Sequence, residues 1–178
     1  MSKTNLIVMC GCPNVGKSFW AKVIQDSHEN CITISENNIR YSMFGKSEDW
    51  KKHYKDVKKY FYNAVRNSIN SNKYVIADAT NLTREERNSF FANIPIDKVN
   101  IIGIWVETPM KIAIKRNKAN SSWLQVDSKD IEKAYKIKVS PQEDEPFDEL
   151  IFISDAQNYA IGTTNAKIMP IVEKLKNI

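Results

Sequence analysis

Short apolar runs, each about the length of one strand, alternate along the chain with longer stretches in which apolar positions recur every three or four residues. The runs lie at 5–10, 31–34, 74–78, 100–106 and 149–154 and are rich in branched side chains, as in NLIVMC and IIGIWV. Runs of this kind fit strands covered on both faces. The helical patterns fall at 17–28, 50–71, 84–93, 109–118 and 128–138, with a last one near 167–177. Strands that alternate with helices call for right-handed crossovers, so the pattern predicts an α/β fold with a five-stranded parallel sheet and helices on both faces. Thr108-Pro109 has the form of a helix N-cap and first position, and Ser140-Pro141 ends the helix before it.

Composition adds a size and a setting. The 178 residues have the length of one domain, taken as 1–178, with 42% hydrophobic and 26% charged residues, the balance of an ordinary globular protein. The apolar runs are far too short to cross a bilayer, which predicts a cytoplasmic protein with no membrane partner. Three cysteines, Cys10, Cys12 and Cys31, make an odd set without zinc-site spacing and read as reduced thiols. The formal charge is +5, and Lys51, Lys52, Lys55, Lys58 and Lys59 crowd one segment. They fit either a phosphate-bearing partner or the solvated face of an amphipathic helix whose apolar stripe is Trp50, Tyr54, Val57, Phe61, Val65 and Ile69.

The chemistry begins with GCPNVGKS at 11–18, between the first strand and the first helix. This is the G-x-x-x-x-G-K-[ST] loop in the strand, loop, helix setting it requires. Glycines let the backbone curl around an anion while successive N–H groups and the helix N-terminus face it. Gly11, Cys12, Pro13, Asn14, Val15, Gly16, Lys17, Ser18 and Phe19 are therefore the candidate ATP-binding segment, with Lys17 on the outer phosphates and Ser18 on Mg²⁺. The run YVIADATN at 74–81 brings Asp78 to the carboxyl edge of the sheet beside that loop, where open sheets place ligands. Asp78 is a candidate for holding Mg²⁺ through water or touching an acceptor. Thr83, with Glu86 three residues later, has capping-box spacing. The basic stretch KIAIKRNKANSSW at 111–123 stands where a short helical lid, about 116–130, would close over phosphates, with Arg116 stabilising charge on a transferring phosphoryl group. Trp123 in that lid fits stacking on a base or packing within the lid.

Taken in order, GCPNVGKSFWA, ISENNIRYS, IADATNLTREERNSF, VETPMKIAIKRN and SPQEDEPFDELIFI resemble P-loop kinases of the phage polynucleotide 5′-hydroxyl kinase type and their small bacterial and phage relatives. The resemblance covers nearly the whole chain. It implies the P-loop kinase fold, ATP and Mg²⁺ as cofactors, and an acceptor pocket after the second strand. It assigns Glu36, Asn37, Arg40, Thr80 and Asn81 to that pocket, with Arg40 on the acceptor's phosphate, and Lys17, Asp78, Arg116 and Asn37 to catalysis. Two positions depart from the family pattern. Asn37 stands where the family's general base is an Asp, and Asn120 where a second lid arginine is expected. An amide nitrogen accepts no proton, so Asp78, across the same pocket, is the expected substitute, with Glu36 one residue out of place.

The expected activity is ATP-dependent phosphorylation of a hydroxyl on a nucleic acid end or a nucleotide. A kinase of small metabolites or nucleosides, and a nucleotide-binding protein with weakened catalysis, are the alternatives that the scaffold and Asn37 leave open.

Overall fold

The computed structural model describes residues 3–154 and 160–163. Six strands form one sheet: β1 (Thr4–Cys10), β2 (Cys31–Ser35), β3 (Tyr74–Asp78), β4 (Val99–Glu107), β5 (Glu149–Ser154) and β6 (Ala160–Thr163), in the spatial order β2-β3-β1-β4-β5-β6. The first five are parallel, as the alternation of strands and helices demands. β6 adds an antiparallel edge to β5, and its short AIGT run gives no pattern to read. β1 is central, and Leu6, Ile7, Val8, Met9 and Cys10 are at most 1% exposed. Burying each large apolar side chain contributes roughly 1.5–3 kcal/mol. The sheet is therefore most rigid at the strand that leads into the glycine loop.

Six helices cover the sheet: α1 (Lys17–Ser27), α2 (Glu36–Phe44), α3 (Tyr54–Ser68), α4 (Arg84–Phe91), α5 (Met110–Ala119) and α6 (Ser128–Ile137). The helix expected near 167–177 lies outside the described residues. α2 was not expected. None of its residues is fully buried; Ile39 packs against the core, Glu36 pairs with Lys58 of α3, and its ends are fixed locally. The Ser35 hydroxyl accepts from the Asn38 N–H, and Gly45 closes it at φ +58°. The pattern at 50–71 also divides: Glu48–Lys51 make a 3₁₀ turn capped by Ser47, and α3 begins at Tyr54. Val57, Phe61, Val65 and Ile69 are buried as predicted, whereas Tyr54 is exposed. Among the described residues no helix is long and apolar enough to cross a membrane.

Strand register aligns the site. Ser35 of β2 pairs with Asp78 of β3, which pairs with Met9 of β1. The carboxyl ends of three strands thus stand side by side, at the spacing of about 4.8 Å between neighbours.

An ion pair unseen in the sequence fixes this edge from below. Arg87 of α4 is 0% exposed and grips Glu145 through two bonds, Nε to Oε2 at 2.7 Å and Nη2 to Oε1 at 2.8 Å. Its other N–H groups donate to the carbonyls of Asn81, Val139 and Ser140. Thr83 caps α4 by accepting the Glu86 N–H at 3.2 Å, as its spacing predicts. The Glu86 carboxylate returns to the Leu82 N–H at 2.7 Å.

Candidate functional site

The loop after β1 curls because three of its residues take positive φ: Gly11 at 140°, Asn14 at 63° and Gly16 at 104°. At Gly11 a Cβ would run into the carbonyl oxygen of Val106, so the close approach of the loop to β4 permits only glycine. Gly16 is the N-cap of α1 and offers no side chain to the helix's first N–H groups. Together these leave a curled loop at the positive pole of α1, an arrangement suited to an anion such as phosphate.

Two charged side chains are buried beside it. The Lys17 ammonium donates to the Cys12 carbonyl at 2.7 Å, and burial pulls its pKa below the lysine range despite Asp78 nearby. Asp78 accepts the Ser18 hydroxyl at 2.7 Å, and burial raises its pKa against the pull of Lys17 and Ser18. For both groups desolvation outweighs their mutual attraction, so neither charge is stabilised by the protein alone. An anion beside Lys17 and a cation beside Asp78 would each favour the charged form of its neighbour. Cys10 and Cys12 are buried, and burial pushes their thiols up to about 12 and about 11 respectively. This leaves them inert packing groups.

α5 closes the loop from the other side. The Arg116 guanidinium donates to the Val15 carbonyl at 3.2 Å and to the Thr108 hydroxyl at 3.3 Å. Thr108, expected as a helix cap, instead donates its hydroxyl to Val15 O at 3.1 Å, and the helix starts at Met110. Three amides join the loop to the C-terminal end of α5. Asn14 Nδ2 donates to Asn117 Oδ1 at 3.0 Å, and Asn120 Nδ2 donates to Asn14 Oδ1 at 2.7 Å. Asn117 also pairs with the backbone of Val126 in both directions, at 2.8 and 3.0 Å. Asn120, the departure from the expected arginine, is thus a contact to the phosphate loop.

On the far side α2 presents Glu36, Asn37 and Arg40. Glu36 Oε2 takes the Lys58 ammonium at 2.8 Å, with both side chains about 15% exposed or less. Burial lowers the pKa of Lys58, but Glu36 and Tyr54 outweigh it and the net shift is upward. Lys58 therefore belongs to neither sequence reading of the lysine cluster. Lys51 and Lys52 pair with Glu48 and Asp49 in their own turn, while Lys55 and Lys59 are exposed. Arg40 stacks 4.9 Å from the Trp50 ring centroid and donates to the Trp123 carbonyl at 2.8 Å, and its Nε is buried without a partner. Trp123 itself packs on Tyr41, ring centroids 4.5 Å apart.

These groups line one cleft of about 920 Å³ that gathers Pro13, Asn14, Val15, Gly16, Lys17, Ser18, Phe19, Glu36, Asn37, Arg40, Asp78, Thr80 and Arg116. Three expected site residues lie behind it. Gly11 supports the loop, Cys12 offers its carbonyl to Lys17, and Asn81, 1% exposed at φ +42°, donates to Met9 O at 2.9 Å. Asn81 pins β3 to β1, and its buried carboxamide does not line the cleft. Sequence reasoning names Trp50 and Lys58 only as parts of the amphipathic pattern at 50–71, and passes over Asn117 as a site residue. Only Asn117 left a local signal, as an amide one residue past Arg116.

No curated protein matches the chain by sequence. Solved structures resemble its fold. Kti12 from Chaetomium thermophilum in complex with ADP-AlF₃ aligns with TM-score 0.70 and 16% identity over 97% of each chain. A component of the Pnkp1/Rnl/Hen1 RNA repair complex aligns with TM-score 0.66 and 19% identity over 82% of this chain and 51% of its own, so the chain spans about half that protein's length. A fungal RNA kinase aligns with TM-score 0.63 and 13% identity over 99% of this chain and 84% of its own. At such identities the likeness is one of fold, and the fold is that of a kinase-like P-loop domain. The sequence profile of one family, described as an AAA domain, matches residues 6–133, the span from β1 into α6, and the chain belongs to that AAA domain family.

Proposed function

We propose that the protein is an ATP-dependent kinase that phosphorylates a hydroxyl of a nucleic acid end or nucleotide. The observation that carries this reading is a single cleft with a phosphate loop at one end and, at the other, an arginine whose buried Nε lacks a partner. Donor and acceptor phosphates each have a cationic seat, with room for the transfer between them.

The site fits its implied cofactors. Ser18 and Asp78 offer hard oxygens 2.7 Å apart beside the loop, a donor set suited to Mg²⁺ that keeps several waters and phosphate oxygens. Magnesium-bound ATP supplies the γ-phosphoryl group and neutralises charge on it. Within this reading Lys17 leaves Cys12 O for the outer phosphates, and Arg116 turns from Val15 O toward the transferring group. Asp78 and Ser18 orient the metal's shell, which removes Asp78 from the role of base. Arg40 seats the acceptor's phosphate, Asn37 and Thr80 bound the hydroxyl's pocket, and segment 116–130 excludes water as a lid.

The test has two arms. Mg²⁺ with ATP at a hundred times Kd stabilises the folded state by about 2.7 kcal/mol, and at roughly 2–4 °C per kcal/mol for this size Tm rises by about 5–11 °C. Lys17→Ala abolishes that rise, while the ligand-free variant, short of the donor to Cys12 O and of the charge beside Asp78, still unfolds cooperatively. A wild-type shift under about 1 °C overturns nucleotide binding. Labelled ATP is then offered with a 5′-hydroxyl oligonucleotide, a nucleoside 3′-monophosphate and a sugar acid. Transfer to the oligonucleotide with affinity that falls steeply with salt supports the reading, and transfer to the sugar acid alone replaces it with the metabolite kinase.

A further inference from the structure

We propose that Glu36, oriented by Lys58, is the proton acceptor for the hydroxyl that is phosphorylated, in place of the aspartate missing at Asn37. This rests on the kinase reading of the cleft.

Four carboxylates besides Glu36 line the cleft: Glu48, Asp78, Asp127 and Asp130. Asp78 is engaged by Ser18 at the metal position. Glu48 pairs with Lys51 in the exposed turn before α3, and Asp127 caps α6 by accepting the Lys129 N–H. Asp130 is exposed on α6, at the end of segment 116–130. Glu36 is more buried than Glu48, Asp127 and Asp130, and unlike Asp78 it is not bonded to Ser18. It is the first residue of α2 and follows Ser35, the register partner of Asp78. The acceptor side of the cleft and the metal side thus meet at adjacent strand ends.

Its geometry is set by one partner. Lys58 takes Oε2 at 2.8 Å, and the ammonium is itself confined by the rings of Tyr54 at 5.3 Å and Phe61 at 5.9 Å. No hydrogen bond among the described residues occupies Oε1. Lys58 and Tyr54 of α3, Lys17 of α1, Arg40 of α2 itself and Asp78 of β3 are the titratable and charged groups around the carboxylate. A carboxylate with one oxygen tethered and the other free is built to accept a proton at a fixed place.

The step balances simply. The acceptor oxygen forms a bond to the γ-phosphorus, the bond from that phosphorus to the bridging oxygen breaks, and its electron pair leaves on ADP. The hydroxyl proton passes to Glu36 Oε1 and then to water. Because the transition state is loose, proton transfer comes late and contributes less than positioning. Removing a base of this kind lowers kcat by about a hundred- to ten-thousandfold.

The experiment uses the full chain, Mg²⁺, ATP and a 5′-hydroxyl oligonucleotide. Glu36→Gln is expected to lower kcat by that factor, to leave the Mg²⁺-ATP thermal shift unchanged, and to remove the acid limb of the pH profile of kcat/KM. Asn37→Asp in the Glu36→Gln background restores both rate and limb. Lys58→Met lowers kcat about tenfold or more through loss of orientation, and Lys58→Arg recovers most of it. The proposal is overturned if wild type turns over and Glu36→Gln stays within threefold of it, or if the acid limb vanishes with Asp78→Asn and survives Glu36→Gln; the kinase reading stands in both cases. A wild-type protein that binds ATP and phosphorylates none of the acceptors overturns the kinase reading and this proposal with it.

Discussion

Glu145→Ala is expected to be among the most destabilising single changes in the described part of the chain. Arg87 is fully buried, and its partner Glu145 has a side chain only 2% exposed. Truncating Glu145 removes two charge-assisted bonds and leaves a guanidinium in the interior with only carbonyls to receive it. Breaking a buried pair from one side costs about 3–5 kcal/mol, a large share of the 5–15 kcal/mol that typically holds a domain together. At roughly 2–4 °C per kcal/mol, Tm falls by about 6–20 °C. Urea and thermal unfolding of the ligand-free protein measure it, with an unchanged urea m-value showing that the denatured state is not the cause. Arg87→Met with Glu145→Leu is expected to recover much of the loss, because apolar replacement of both partners removes the stranded charge. The reasoning is refuted if Glu145→Ala costs under about 1 kcal/mol or if the two single changes add in the double variant. The pair also bears on the cleft. Arg87 holds Asn81 O, and Asn81 holds Met9 O two residues before Gly11, so nucleotide affinity should weaken along with stability.

Gly11→Ala is expected to cost about 1–3 kcal/mol from strained backbone alone and more from collision with Val106 O, with the Mg²⁺-ATP thermal shift lost; an intact shift would show that the loop tolerates a Cβ. Asn117→Leu leaves the Val126 N–H and C=O and the Asn14 amide short of a partner, at about 1–3 kcal/mol. Faster amide hydrogen exchange over residues 120–127 and a raised KM for ATP are its expected signs, and unchanged exchange there argues against a lid tied to the loop.

The parts of the fold legible in sequence are those whose cause is local and repeated. β1, β3 and β4 announce themselves because burial on both faces demands an unbroken apolar run, and their expected ends fall within a residue of the observed ones. The glycine loop is legible because its backbone demands particular residues at fixed spacing. α2 escapes because nothing in it is fully buried. Its only marks are Ser35 before it and Gly45 after it, and both read equally well as loop. The stripe at 50–71 was overextended at its start, since a 3₁₀ turn followed by a helix keeps nearly the same spacing of apolar positions as one helix. The Arg87–Glu145 pair joins residues 58 positions apart, and no periodicity in either segment points to the other.

The same distinction governs the cleft. Lys17, Ser18 and Asp78 stand beside one another because the strand, loop, helix unit and the register of β1 with β3 bring them together whatever the rest of the chain does. The lysine cluster was harder, because a helical wheel tells which face Lys58 occupies but not that Glu36 from another helix meets it there. The two asparagines that break the family pattern look in sequence like losses of function. In three dimensions Asn37 neighbours a tethered carboxylate in Glu36, and Asn120 grips the phosphate loop through Asn14 while Arg116 keeps the cationic place one turn earlier. A substitution at a site is therefore not a deletion of its chemistry until the residues that converge on the same space, from elsewhere in the chain, have been counted.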